Sequence, residues 1–191
     1  MSKGHACWGY YVLLRERGYS PLLEGHPHLD ESNGVNYTSG SMGHGFPAAV
    51  GMAMARKVTK KTGRIFVLIG DGECQEGTTW ESTLIGGRFS LENLTVIVDN
   101  NNIQGSGFVS DILDIKPIEA VAKAAKWDVD LVEGHNIDAL SECLLNQTLQ
   151  PRLIIAKTIK GKGISFMENV PAWHAKFLDP EHEKIAMGEL L

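Results

Sequence analysis

Cysteine, basic charge and long apolar runs are all scarce in this sequence, and each shortage removes a class of protein. The three cysteines, Cys7, Cys74 and Cys143, are odd in number and far apart. Without any Cys-x-x-Cys spacing they indicate neither a disulfide framework nor a zinc site, and they read as buried free thiols. No apolar stretch approaches the roughly 20 residues of a membrane span and no secretory pattern is evident, so no membrane partner is expected and the expected address is the cytoplasm. A formal net charge of -5 argues against nucleic acid as a partner, because binding a phosphate backbone needs a basic face. The longest cationic cluster, Arg56-Lys57-Val58-Thr59-Lys60-Lys61, falls where a helix should end and reads as a solvated terminus that complements the helix dipole. Repeats, linkers and low-complexity segments are absent as well.

What remains is an ordinary globular composition, 43% hydrophobic and 21% charged over 191 residues, which suits one α/β domain spanning residues 1–191. Apolar periodicity predicts a helix over Ala6–Glu16 and a second, built from small residues, over Phe46–Lys60. Between them, Tyr19–Gly45 is rich in Gly, His, Ser, Asn and Pro without sustained period, and such a long loop in a compact domain points to function. Short apolar runs predict strands at Arg64–Ile69, Leu94–Val98 and Arg152–Lys157, with a weaker one at Asp128–Val132. Helices are expected over Thr78–Gly87, Pro117–Ala125, Ile137–Asn146 and Pro180–Leu190. The alternation predicts a doubly wound, mainly parallel sheet with helices on both faces and ligands beyond the carboxyl ends of its strands.

Two of those ends carry polar chemistry. The first strand delivers Gly70-Asp71-Gly72-Glu73 and the second Asp99-Asn100-Asn101-Asn102-Ile103. Parallel strands put both ends on one edge, so the Asp71 carboxylate and the Asn101 amide oxygen can reach a common point, an oxygen-only set that suits Mg²⁺. Gly70 and Gly72 allow the backbone to approach an anion and donate N–H groups to it. A lone Gly-Asp-Gly is more often a tight turn; its pairing with an Asn-Asn segment on the next strand end is what raises the functional reading.

That pairing, with the segments MSKGHA, EGHPHLDESNGVNYTSGSMGHGFPAAVGMAMA, GDGECQEGTTWES and DNNNIQGSG in this order, resembles the thiamine-diphosphate-binding domain of the transketolase family over nearly the whole chain. The pattern is especially similar to the separate amino-terminal subunit of split transketolases. The resemblance implies thiamine diphosphate and Mg²⁺ as cofactors, with Asp71, Asn101 and the backbone carbonyl of Ile103 on the metal. It sets the Gly72 N–H on the diphosphate and Glu73 beside it on the cofactor side. His5, His26 and His174 would line the active site, His5 and His174 toward diphosphate and substrate, and His26 toward a substrate hydroxyl whose proton it moves. Gly40 and Met42 would meet the aminopyrimidine ring. Glu76, whose plain reading is a favourable charge at a helix start, would join a carboxylate network between two active sites and count as catalytic. His28 and His44 stay outside this set.

The same resemblance implies what is lacking. A glutamate from a pyrimidine-binding domain is needed and no such domain is present, so a carboxy-terminal transketolase subunit is the expected partner, in a heterotetramer of two chains of each kind. The chain also begins inside what is normally an internal motif, and is expected to be truncated at its amino terminus relative to the family, with the loss of one substrate-side histidine. Ala175 stands after His174 where the family has glycine. The expected activity is transfer of a two-carbon ketol unit from a ketose phosphate to an aldose acceptor. Alternatives are another thiamine-diphosphate enzyme, such as deoxyxylulose-phosphate synthase or a 2-oxoacid decarboxylase, and a noncatalytic assembly subunit. A dinucleotide-binding fold is the weakest rival, since no Gly-x-Gly-x-x-Gly opens a helix after the first strand.

Overall fold

A computed structural model of the chain describes residues 1–191. After a 3₁₀ turn at Gly4–Ala6 come α1 (Cys7–Glu16), a loop containing a 3₁₀ turn at Glu31–Asn33, and α2 (Gly45–Val58). The chain continues through β1 (Ile65–Gly70), α3 (Gly77–Arg88), β2 (Leu94–Asn100), β3 (Ile103–Gln104), β4 (Gly107–Phe108) and α4 (Val109–Ile112). It ends with α5 (Pro117–Ala124), β5 (Asp128–Glu133), α6 (Ile137–Leu145), β6 (Arg152–Lys157), a 3₁₀ turn at Pro171–Trp173 and α7 (Pro180–Leu190). Local chemistry sets several starts. Pro117 and Pro180 occupy first-turn positions, where their missing N–H costs nothing. The Asn136 side chain accepts the Ala139 N–H at the start of α6, and the Asp179 side chain accepts the His182 N–H at the start of α7.

The main sheet has four strands in the order β1-β2-β6-β5, all parallel. Register places Ile69 beside Val98 and Val98 beside Ile155, so one face is a continuous layer of branched side chains. Val67, Ile69, Val96, Val98, Leu153 and Ile155 on that face pack against Phe46, Ala49, Val50 and Ala53 of α2 and Ile118 and Ala122 of α5. Burying each large aliphatic side chain contributes roughly 1.5–3 kcal/mol, so this layer is the main apolar anchor of the sheet. The small residues of α2 let it lie close, and α3 follows the same rule: a Cβ on Gly87 would overlap the Ala125 carbonyl. Trp127 closes the layer, its indole N–H donating to the Thr83 carbonyl at 2.8 Å.

The doubly wound expectation holds, since α1 and α6 lie on the opposite face, α6 beside β5. The predicted helices and strands all form, with ends within two residues of the expected ones. Two differences matter. Phe66, inside a run that reads as covered on both sides, is 46% exposed, because a cleft separates α1 from the sheet there and only the Arg64 guanidinium lies over its ring, at 4.7 Å. The β3–β4 hairpin and α4 were not expected, since two-residue strands show no alternation. The turn into the hairpin passes through Asn102 at φ 61°, whose side chain bonds both the N–H and the hydroxyl of Ser110. The hairpin folds back to hold Ile103–Ser106 over the end of β1, which shapes the site.

Candidate functional site

All four parallel strands end on one edge, and the polar residues gather there. Asp71 directly follows β1 and Asn101 directly follows β2, on strands paired with Gly70 opposite Asp99. Asp71 is 2% exposed and Asn101 6%. The Asp71 carboxylate accepts the Gly72 N–H at 2.8 Å and the Asn102 N–H, and it has no ion-pair partner. Burial pushes its pKa above the ordinary carboxylate value, against the pull of those backbone donors and of Lys3. The Asn101 amide oxygen accepts the Ile103 N–H at 3.0 Å. A buried carboxylate with spare lone pairs and no cationic side chain bonded to it, next to an amide oxygen, is a fit for a hard dication. No three His, Cys, Asp or Glu side chains are grouped so that they could hold a metal ion together, so a metal here would be held by mixed oxygen donors rather than by a His or Cys set.

Above this point opens a cavity of about 430 Å³. Its floor is Gly70–Glu73, one wall is Ile103–Ser106 of the hairpin, and the remaining walls are Ser2–His5, His26, Gly40, Met42 and His174. Of the residues singled out in the sequence, the cavity thus brings together His5, His26, His174, Gly40, Met42, Asp71, Gly72, Glu73 and Ile103. Asn101 lies beside it, facing the neighbouring cleft with Lys3, His5 and Asp99. Glu76 does not line it: the residue precedes α3 and stands behind the Gly40–Gly43 loop, its Cβ 2.9 Å from where a Cβ on Gly43 would fall.

Close backbone approach builds the walls. A Cβ on Gly4 would come within 2.8 Å of the Gly40 Cα, and a Cβ on Gly40 would lie 2.6 Å from the His26 ring, so glycine at each position lets these segments pack closely. The Ser2 and Lys3 N–H groups both donate to the Leu68 carbonyl in β1, at 3.0 and 2.9 Å. Lys3 also pairs with Asp99, which accepts from Thr158 as well. Burial would raise Asp99, but Lys3 and the Thr158 hydroxyl hold it below the usual carboxylate range. At Gly72 a Cβ would lie 2.8 Å from the Gln104 side-chain oxygen, which is itself buried with no hydrogen-bond partner. Met42 is 53% exposed at the rim.

The three histidines form a cluster, the His5 ring centroid being 4.9 Å from both His26 and His174. Burial first, then His26, Lys160 and Lys3, push the His5 pKa down. His174 falls to about 4, through burial first and then Lys160, His5 and Lys3. Its Nδ1 is buried without a partner. Lys160 is itself lowered by burial and Lys3. Burial first and then the nearby cations favour neutral imidazoles at His5 and His174, and with Lys3 and Lys160 beside them and the His174 Nδ1 left unpaired the cavity suits an anion.

Lys3, Asp99, Thr158, Lys160 and Gln104 were not singled out in the sequence. Lys3 lies inside the Ser-Lys-Gly-His segment and Asp99 opens the Asp-Asn-Asn-Asn run, yet nothing in the order of residues pairs two groups 96 positions apart. The adjoining strand ends bring them together.

Comparison with known proteins identifies the family and the fold. Residues 1–186 match a family described as transketolase, thiamine diphosphate binding domain. The chain is 38% identical over 203 residues to an apulose-4-phosphate transketolase subunit of Actinobacillus succinogenes, covering 99% of this chain and 74% of that protein. It is 35% identical over 205 residues to 6-deoxy-6-sulfo-D-fructose transketolase subunit SqwG of a Clostridium species, covering 100% of this chain and 74% of that one. Among solved structures, transketolase from Campylobacter jejuni superposes with a TM-score of 0.87 at 29% identity over 98% of this chain, which spans 33% of that longer chain.

Proposed function

This chain belongs to the transketolase family, matching its thiamine diphosphate binding domain, and on that premise we propose that it is the amino-terminal subunit of a split transketolase. In this reading residues 1–191 act as one cofactor-binding domain. Asp71, the Asn101 side chain and the Ile103 carbonyl hold Mg²⁺, and the Gly72 N–H donates to the diphosphate. The dication explains how an acidic protein retains an anionic cofactor, since it dominates the local field. When bound, thiamine diphosphate supplies the electron sink that lets a ketose be cleaved beside its carbonyl.

The protein's own part is to bind, orient and move protons. His5 and His174, held neutral by burial and by Lys160 and Lys3, donate ring N–H groups to diphosphate and substrate oxygens. His26 takes a proton from a substrate hydroxyl and returns it. Met42 gives an apolar surface and Gly40 a backbone contact to the aminopyrimidine. The donor is a ketose phosphate and the acceptor an aldose.

A carboxy-terminal pyrimidine-domain subunit supplies the remaining groups, and a heterotetramer places Glu76, at the entrance to α3, next to carboxylates of that partner. Two supports are specific. Two similar proteins carry the word subunit in their names. Leu84 and Ile85 on α3 and Phe89 just after it are exposed in the isolated chain, an apolar strip that assembly would cover. No helix is long and apolar enough to cross a membrane; we assign the chain to the cytoplasm, where its three free thiols would stay reduced.

The observation that carries the reading is the convergence of His5, His26 and His174 on one cavity whose floor is Asp71 and Gly72. Isothermal titration of thiamine diphosphate into the purified chain tests it, with and without Mg²⁺ and a carboxy-terminal partner. Mg²⁺-dependent binding strengthened by the partner is expected. Absence of binding under every condition would withdraw the activity.

A further inference from the structure

Glu73 lines the cavity beside Gly72, yet its carboxylate is occupied by the protein itself. It is 2% exposed, and at that depth the carboxyl oxygens need donors in place of water. Three do so, from three distant parts of the chain. The Ser2 hydroxyl donates to Oε1, the Gly43 N–H donates to the same oxygen at 3.0 Å, and the Gly70 N–H faces Oε2 at 3.3 Å. The segment carrying Ser2 reaches His5 three residues later, and Gly43 follows Met42 directly; both His5 and Met42 line the cavity. Gly43 has φ 78°, a conformation that favours glycine, and a Cβ there would lie 2.5 Å from the Thr78 hydroxyl oxygen, so its N–H is presented by backbone that a side chain would disturb.

Resting on the cofactor reading above, we propose that Glu73 is a positioning residue that fixes the distance between the His5 segment and the Met42 loop, and so the fit of the thiamine rings. It does not touch the cofactor. The metal and diphosphate anchor, Asp71 with Asn101, is set by the strand ends and the hairpin instead. Glu73 therefore governs affinity for the ring half of the cofactor more than for the diphosphate half, which the metal and the Gly72 N–H hold and which depends on Glu73 only through His5.

The test is titration of the full chain in saturating Mg²⁺ with two probes, thiamine diphosphate and inorganic diphosphate. Glu73→Ala removes all three acceptor contacts and is expected to weaken thiamine diphosphate about tenfold, while inorganic diphosphate changes by less than about twofold. Glu73→Gln keeps Oε1 for Ser2 and Gly43, and is expected to stay within about threefold of the unaltered chain for both probes. Ser2→Ala, which removes one donor from a short segment, is expected to weaken thiamine diphosphate about threefold and inorganic diphosphate by clearly less; it carries the comparison if Glu73→Ala does not fold. Equal loss with Gln and Ala would mean that the charge contacts the cofactor directly and would overturn the proposal. So would parallel loss of both probes, or unchanged thiamine diphosphate affinity in Ser2→Ala and Glu73→Ala. Failure of the cofactor reading would show earlier and differently, as an unaltered chain that binds neither probe, and would bring this inference down with it.

Discussion

Asp71→Asn should separate the cost of the metal site from its use. In the free chain the Asp71 carboxylate is buried, unpaired with any cation and raised in pKa by that burial. The amide is nearly isosteric and carries no charge. It keeps one oxygen for the Gly72 or Asn102 N–H but turns an amino group toward the other, which costs about 0.5–1.5 kcal/mol for one lost hydrogen bond. Relief of charge burial works in the opposite direction, so the melting temperature of the free variant should lie within about 5 °C of the unaltered chain. Ligand addition gives a different result. Binding at 100 times Kd stabilises by about 2.7 kcal/mol, which for a chain of this size corresponds to roughly 5–11 °C in Tm. Mg²⁺ with thiamine diphosphate should produce that shift in the unaltered chain and none in Asp71→Asn. Differential scanning fluorimetry with and without a chelator reads both quantities. A full shift in Asp71→Asn, or one in the unaltered chain that survives chelation, would refute the assignment of Asp71 to a metal.

Two further outcomes are expected. His174 has a folded pKa of about 4 against 6.5 for the free side chain, so the unfolded chain binds its proton first as pH falls. The free chain should therefore lose stability as pH drops from about 6.5 toward 4. His174→Asn should show a shallower fall across that window by urea titration; identical slopes would mean that His174 is not held neutral. For the ion pair beneath the His5 segment, Lys3→Ala leaves Asp99 partly buried with only Thr158, whereas Lys3→Ala combined with Asp99→Asn removes the stranded charge. The double variant should be more stable than Lys3→Ala alone by about 1–3 kcal/mol, and additive losses would show that the pair is uncoupled.

The sheet was legible because its information is local. RIFVLI, LTVIV and RLIIAK are apolar runs in which branched residues leave little choice but a buried strand, and the Gly-Asp-Gly and Asn-Asn segments that end two of them mark the ligand edge. The histidines came through the family resemblance and not through residue type alone: His5, His26 and His174 each sit in a segment similar to the transketolase domain, and all three line one cavity. The weak reading of Asp128–Val132 as a strand has a physical basis: β5 is the sheet edge and Leu131 is exposed, so burial does not enforce an apolar pattern there. Pairing was not legible. Lys3 with Asp99, and Glu73 with Ser2 and Gly43, join groups that only the finished fold places side by side.

Glu76 marks the other boundary. The family resemblance set it among the catalytic groups, whereas here it lies behind the Gly40–Gly43 loop, outside the cavity. A carboxylate network between two sites needs carboxylates from both sides, and one chain supplies only one side. Glu73 and Glu76 stand three residues apart and flank the same loop, yet their surroundings differ. Glu73 finds its donors within the chain and is buried by them. Glu76 makes no side-chain cap to α3 and remains half-buried. A side chain without partners in its own chain, next to the exposed Leu84, Ile85 and Phe89 strip, is where a second polypeptide would complete the arrangement. If Glu76 acts through such a partner, Glu76→Gln should leave cofactor affinity of the isolated chain unchanged and alter it only in the assembled complex.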